Sequence, residues 1–210
     1  MTDMGAFRET VTAWAAGGPG DLAHEPAVVL SVKTVVLLEG PSDLAAVEAL
    51  AESRGRDLEA EGVCVLAMNG AMSVGRFARL LGQAGLGLRL TGLCDEAERG
   101  YYARALEQDV TQGTGPRRRG FFVCTADLED ELIRALGVPR VEELIRAEGD
   151  LRALRTFLRQ PAQRGRSPHQ QLRRFLGTKK GRKIHYGRVL VEALTPDRVP
   201  APLDDLLADV

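Results

Sequence analysis

The chain has 210 residues, of which 44% are hydrophobic, and its formal net charge is -1. This composition is typical of a globular protein, and no apolar run approaches the ~18 residues that a membrane-spanning helix needs, so we exclude a membrane-spanning protein. The N-terminus carries acids and has no long apolar stretch before a cleavage site, which predicts no signal peptide and a cytoplasmic location.

The first part of the chain leads into a buried strand. Residues 1–31 are predicted as a lead-in segment, in which Phe7, Val11 and Trp14 at helical spacing indicate a short amphipathic helix. We assign no chemistry to this segment. The apolar residues 35–38, with Val32 just upstream, then predict a strand that is buried on both faces.

An acidic turn follows this strand. Glu39 and Gly40 end the apolar run, and Ser42 is a good N-cap for the helix that the next residues predict. Glu39 and Asp43 therefore flank one strand-to-helix turn, where their oxygens could share a hard divalent cation. The alternative is structural: Asp43 would complement the helix dipole, and Glu39 would be a solvated residue at a strand tip.

The same strand–helix plan recurs three times along the chain. Four short apolar strands that alternate with helices predict an α/β fold with a mainly parallel, doubly wound sheet flanked by helices. A glycine- and arginine-rich loop is predicted at 113–120, before the last strand. The repeated units are a strand at 62–70 with a helix at 73–81, a strand at 88–93 with a helix to Leu106, and a strand at 121–125 with a helix from Asp127 to Gly137.

Most of these strands run into acidic residues, and parallel strands gather their carboxyl ends at one edge of the sheet, where ligands bind in open α/β folds. Carboxylates packed together destabilise a protein unless they share protons or bind a metal. The sequence therefore predicts a magnesium-type site at this edge. The acids expected to converge are Glu39, Asp43, Asp95, Asp127, Glu129 and Glu131.

The C-terminal part, 138–210, is predicted as a basic helical extension. No Asp or Glu occurs between Leu151 and Leu190, although Arg and Lys are frequent there. Such a block can be a solvated face, but it is typical of contact with polyanions. Within the extension we predict a linker at 160–171 and a tail with one short helix at 203–207.

The cysteines do not form a recognisable site. Cys64, Cys94 and Cys124 each lie within or at the end of an apolar run, which is typical of small buried hydrophobes. Their odd number and the lack of a CxxC pair argue against disulfides or zinc. A catalytic thiol at Cys94, beside Asp95, stays as an alternative.

Several segments together resemble a known domain. The motif LLEGPSD at 37–43, the Asn-Gly turn at 69–70, LCDEAE at 93–98 and DLEDEL at 127–132 resemble the TOPRIM domain of topoisomerases, primases, ribonuclease M5 and the OLD family of nucleases. The spacing and the basic segment resemble most closely the OLD-family TOPRIM of bacterial proteins called ATP-dependent endonucleases. The resemblance implies a TOPRIM domain at 32–137.

The resemblance implies roles for residues on the first and third strands. The invariant glutamate of the family matches Glu39, and the acid four residues later matches Asp43. The aspartate motif, usually DxD, matches at Asp95, but Ala97 stands in place of its second aspartate. Two acids are candidates to replace it, Glu96 and Glu98.

The resemblance also implies later site residues. The OLD-family glutamate after the fourth strand matches Glu129, with Asp127 and Glu131 as neighbouring metal ligands. The late lysine of the family matches Lys183, and less well Lys180.

The resemblance implies cleavage of phosphodiester bonds that depends on Mg²⁺ or Mn²⁺, with one or two ions. The expected partner is nucleic acid, DNA in preference to RNA, and a homodimer is allowed. The sequence contains no GxxxxGK[ST] motif, so we expect either cleavage without ATP or a separate ATPase partner.

Two other functions stay open. The first is a non-catalytic module that binds nucleic acid or a partner protein, in which Ala97 marks the loss of a second metal site. The second is an RNA-processing nuclease of the ribonuclease M5 type.

Overall fold

The computed structural model describes residues 4–18, 31–112 and 120–210. Four strands form one sheet: β1 Thr34–Leu38, β2 Val63–Ala67, β3 Arg89–Asp95 and β4 Phe121–Cys124. Their spatial order is β2–β1–β3–β4, and each neighbouring pair is parallel. The structure confirms the predicted parallel α/β sheet. The loop predicted at 113–120 falls outside the described residues except for Gly120.

Helices flank the sheet, as predicted. In the described part of the chain, no helix combines the length and the apolar character needed to cross a membrane. The helices are α1 Met4–Ala15, α2 Pro41–Ser53, α3 Val74–Leu81, α4 Arg99–Gln112, α5 Leu128–Leu136, α6 Val138–Ala147, α7 Leu151–Leu158, α8 Pro168–Leu176, α9 Lys180–Glu192 and α10 Ala201–Asp209.

The central strand β1 divides the hydrophobic core into two layers. Its side chains alternate between the faces of the sheet, and all five residues are buried. Val36 and Leu38 pack with α2 and the helices from α5 onward. Val35 and Leu37 pack with α1, α3 and α4 on the other face. The C-terminal helices therefore share a core with the sheet.

The residues predicted as a tail form a helix that covers the sheet. Leu203, Leu206 and Leu207 of α10 are fully or almost fully buried. At the end of this helix, the Thr91 hydroxyl of β3 donates a hydrogen bond of 2.9 Å to Asp209 Oδ2. These long-range contacts explain why α10 is longer than the predicted helix at 203–207.

The linker predicted at 160–171 is also partly helical. Ser167 and Gln170 form a capping box, in which each side chain bonds to the backbone N–H of the other residue. This reciprocal pair satisfies two N–H groups at a helix start. As a result, α8 begins at Pro168, inside the segment predicted to be irregular.

Helix α9 approaches α2 very closely at Gly187. A Cβ atom at Gly187 would lie 2.6 Å from the carbonyl oxygen of Ser42, which is closer than a real Cβ can approach. A glycine is therefore needed where the two helices meet. This contact holds α9 close to α2. It therefore sets the distance between the end of β1 and Lys183, which lies one turn earlier on α9.

We predict that Gly187→Ala lowers the free energy of unfolding by about 2 kcal/mol, because the new methyl group pushes α9 away from α2. Chemical denaturation measures this change. The matched control is Gly181→Ala in the same helix, since a Cβ there meets nothing within 4 Å. The control is expected to be neutral or to stabilise the protein by up to about 1 kcal/mol. Equal effects of the two variants would contradict the close contact.

Candidate metal centre

Three carboxylates meet at the carboxyl edge of the sheet. Glu39 follows β1, Asp95 is the last residue of β3, and Glu98 lies in the 3-10 turn after it. One oxygen atom from each lies within 4.8 Å of the others. In the described part of the chain, no other group of three metal-ligating side chains is so close together. We call these residues the carboxylate cluster.

Two hydrogen bonds that backbone N–H groups donate fix the turn that carries Glu39. The Gly40 N–H donates to Asp43 Oδ2 at 2.9 Å, which ties the end of β1 to the first turn of α2. The Gly70 N–H donates to the carbonyl oxygen of Glu39, also at 2.9 Å. Asn69 and Gly70 form this second turn with positive φ angles, which glycine and asparagine adopt most readily.

Charge repulsion is strong within the carboxylate cluster. Burial raises the pKa of Glu39, and the nearby Glu98 carboxylate raises it further. Burial, followed by the charges of Glu39 and Asp127, raises the pKa of Asp95 to about 7. A divalent cation would relieve this repulsion, since hard cations bind to carboxylate oxygens.

Glu98 shows that the cluster fits such an ion. Its Oε2 atom is buried and has no hydrogen-bond partner in the described structure. A buried carboxylate oxygen without a partner destabilises a protein unless a cation or a donor satisfies it. Glu39, Asp95 and Glu98 therefore form an acidic cluster that could hold a metal ion.

A second group of site residues lies beside the cluster. The Lys183 ammonium of α9 lies 3.3 Å from Glu129 Oε2 of α5. Burial raises the pKa of Glu129 to about 7, although Lys183 opposes this effect. Burial also raises the pKa of Asp43, again against the charge of Lys183. Both carboxylates are thus within the electrostatic influence of one lysine.

Lys183 itself stays charged. Burial alone would lower its pKa, but the carboxylates of Glu129, Asp43 and Asp127 outweigh burial, so that its pKa is raised. The structure thus places a permanent positive charge beside the cluster. The side chain of Lys180, the weaker match to the late lysine, lies outside the described part of the chain.

Asp127 borders the site but has other partners. Its Oδ1 atom accepts the N–H of Asp130 at 2.8 Å and so caps α5. Its Oδ2 atom lies 2.7 Å from the guanidinium of Arg173 on α8. Sequence reasoning did not identify Arg173 as a neighbour of the site, because only the folded chain brings α8 next to the start of α5.

The structure directs Glu131 and Glu96 away from the cluster. Glu131 accepts the N–H of Thr125 at 2.8 Å and pairs with Arg134 at 3.0 Å. Glu96 lies 3.6 Å from Arg99 on the surface. Of the two acids considered as replacements at the position of Ala97, Glu98 is therefore the one that the structure brings to Glu39 and Asp95.

Cys94 does not have the surroundings of a nucleophile. It is buried, and burial together with the charge of Asp95 raises the pKa of its thiol to about 11. The thiolate, which is the reactive form, is therefore rare at neutral pH. Cys64 and Cys124 are buried in the core as well.

Comparisons with known proteins agree with this geometry. Residues 32–96 match the family model of the TOPRIM domain of Overcoming lysogenization defect (OLD) protein-like sequences, which confirms the predicted OLD-like TOPRIM domain over this range. The match includes Glu39, Asp43 and Asp95, and it ends before Glu98. None of the curated proteins matches the sequence.

Solved structures share the fold over most of the chain. The C-terminal region of the Burkholderia pseudomallei OLD protein superposes with a TM-score of 0.63 at 20% identity, covering 85% of this chain and 96% of that chain. The C-terminal region of the Xanthomonas campestris pv. campestris OLD protein gives a TM-score of 0.64 at 24% identity, covering 86% and 92%. At these identities the similarity establishes the fold alone.

We predict that Asp95→Asn stabilises the metal-free protein at pH 8, because it removes a half-buried charge that faces Glu39. The raised pKa of Asp95 means that its charge destabilises the fold increasingly between pH 4 and about 7. After solvent screening we expect a gain of about 1 kcal/mol, or roughly 2–4 °C in Tm. The gain should shrink as the pH falls toward 4.

Thermal melts in EDTA measure this effect, and Asp205→Asn on α10 is the control because Asp205 is exposed. Added Mg²⁺ should raise the Tm of the wild type and of the control by mass action, but not that of Asp95→Asn. A metal-free Asp95→Asn protein that melts at or below the wild-type Tm would contradict the repulsion described here.

Proposed function

We propose that this chain, whose residues 32–96 match the OLD-like TOPRIM domain, is a metal-dependent endonuclease that hydrolyses phosphodiester bonds in DNA. One observation carries the proposal: the oxygens of Glu39, Asp95 and Glu98 converge within 4.8 Å beside the charged Lys183. Carboxylate ligands next to a fixed positive charge suit chemistry on an anionic phosphate.

The carboxylate cluster is proposed to bind Mg²⁺ or Mn²⁺. When bound, such an ion lowers the pKa of water and stabilises charge on the phosphoryl oxygens. Glu39 and Asp95 would hold the ion from two neighbouring strands, and Glu98 would supply the oxygen that has no other partner in the described structure. Because Ala97 carries no carboxylate, we place one ion in this cluster and assign no ligands to a second.

Lys183 is proposed to act on the substrate phosphate. Its ammonium is held by Glu129 and stays protonated, so it can neutralise negative charge that develops during hydrolysis. Asp43 contributes to the same local potential and fixes the turn that carries Glu39. In this assignment Glu129 and Asp43 position the charged groups, while Lys183 contacts the phosphate.

Water is the proposed nucleophile. Tyr102 is buried, and its hydroxyl group has no hydrogen-bond partner in the described part of the chain. Its ring packs edge-on against Phe121, with the ring centroids 5.0 Å apart. Burial raises the pKa of Tyr102 well above its usual range, so its hydroxyl stays protonated. Tyr102 is therefore not proposed as a covalent nucleophile.

Further features of the proposal come from the sequence. DNA is favoured over RNA as the substrate, a separate ATPase partner and a homodimer are allowed, and a cytoplasmic location is expected. Asp127 is retained as a border residue of the metal site. Glu131 is not included among the ligands, because it is bound by Thr125 and Arg134.

We predict that the protein nicks supercoiled plasmid DNA in the presence of Mg²⁺ or Mn²⁺ and that EDTA abolishes the nicking. Glu39→Gln should reduce the rate at least about 100-fold, because the amide removes a charged ligand that supports several kcal/mol of transition-state stabilisation. Gel analysis of the plasmid over time measures the rate.

Glu143→Gln is the matched control, since Glu143 is exposed on α6 and pairs only with Arg140 among the described residues. Its rate should equal that of the wild type. Binding of DNA without cleavage would contradict the proposal and support the non-catalytic module. Cleavage restricted to structured RNA would support a nuclease of the ribonuclease M5 type instead.

A further inference from the structure

The structure divides the basic residues between Leu151 and Leu190 into two sets. One set is held by carboxylates: Arg173 by Asp127, Arg182 by Asp150, Lys183 by Glu129, and Arg188 by Glu52 and Glu192. Within the described ranges, the other set has no carboxylate partner. Its members are Arg152, Arg155, Arg159, Arg164, Arg166, Arg174 and Lys179.

Two residues of the second set, Arg166 and Arg174, line a cavity of about 550 Å³ together with Arg173 of the first set. Arg166 enters it from the segment before α8, and Arg173 and Arg174 enter it from the last turn of α8. Asp127, which pairs with Arg173, also lines this cavity. Three guanidinium groups and one carboxylate give this cavity a net positive charge.

A second cavity, of about 490 Å³, lies next to the first. Both cavities are lined by Thr178, which lies in the turn between α8 and α9. The second cavity adds three cationic side chains, Arg152, Lys179 and Arg182. We call the two cavities together the arginine groove.

The first cavity of the arginine groove borders the candidate metal centre through Asp127. Asp127 lines the first cavity, and its charge also raises the pKa of Asp95 and of Glu129 at the metal centre. A strand bound in the groove would therefore arrive with one end beside the carboxylate cluster. Arg173, which is paired with Asp127, lies at this junction.

The lining of the groove suits a phosphate backbone better than bases. Guanidinium groups match the oxygens of phosphate through paired hydrogen bonds. The aromatic residues of the second cavity, Phe157 and Phe175, are 8% and 1% exposed, so they offer little surface on which bases could stack. A set of cations that lines two neighbouring cavities fits a ligand with repeated negative charges.

We propose that the arginine groove binds the backbone phosphates of the DNA strand on one side of the scissile bond, with Arg166 and Arg174 as direct phosphate contacts. This inference rests on the proposed function for the identity of its ligand. It places the bound DNA on the α8–α9 side of the metal centre. Because the contacts are to phosphates, we expect binding that does not depend on base sequence.

The test is the salt dependence of DNA binding by the double variant Arg166→Ala/Arg174→Ala. Anisotropy of a fluorescein-labelled DNA duplex is measured over a range of KCl concentrations, in EDTA so that no cleavage occurs. In a plot of the logarithm of the association constant against log[KCl], loss of two phosphate contacts should make the slope less negative by about 1.8. Binding at low salt should become weaker by about 10-fold or more.

Two control variants distinguish the effect of cations in the groove from the effect of cations elsewhere on the surface. Arg79→Ala/Arg198→Ala removes two exposed cations from other parts of the surface and should change the slope little. Arg166→Lys/Arg174→Lys keeps both charges in the groove and should retain the wild-type slope. Melting temperatures equal to the wild type show that the variants are folded.

Plasmid nicking by the wild type is measured in parallel. A failure of the groove inference can therefore be distinguished from a failure of the nuclease proposal. If the wild type nicks DNA and the groove variant keeps the wild-type slope, the groove inference is overturned and the nuclease proposal stands. Equal slope changes in the groove variant and the Arg79/Arg198 variant would also overturn it. A slope change seen with RNA but not with DNA would overturn the assignment to DNA.

Discussion

The convergence of carboxylates at one edge of a parallel sheet is the constraint on which the proposed site depends. Glu39 and Asp95 end neighbouring strands, so the parallel arrangement itself brings them together. Burial strengthens the repulsion and raises the pKa of both groups. Shared protons or a bound cation can compensate such an arrangement, and the second would connect the architecture of the sheet to the proposed metal chemistry.

The C-terminal helices supply the positive charge that the sheet lacks. Helix α9 packs against α2 through Gly187 and so brings Lys183 to Glu129 at the edge of the cluster. Helix α8 brings Arg173 to Asp127. The acidic sheet and the basic helices therefore share one hydrophobic core and one electrostatic site, although their charges are far apart in the sequence.

The sequence predicts the parts of this arrangement that follow from local pattern. Apolar runs that end in acids indicate the strands and the side of the sheet at which Glu39 and Asp95 meet. The partners of Glu131 are not visible in that pattern, because Thr125 and Arg134 reach it only through the turn and helix geometry after β4. The role of α10 could not be predicted from the sequence for the same reason, because its hydrogen bond joins Thr91 and Asp209, which are 118 residues apart.

The most direct measurement is diffraction from crystals of the full chain soaked in Mn²⁺, with anomalous differences recorded near the manganese edge. The account predicts an anomalous peak bounded by carboxylate oxygens of Glu39, Asp95 and Glu98, and loss of that peak in Glu39→Gln crystals. A fully soaked crystal without a peak at these residues, or with manganese bound only elsewhere, would contradict the central claim that a cation compensates this cluster.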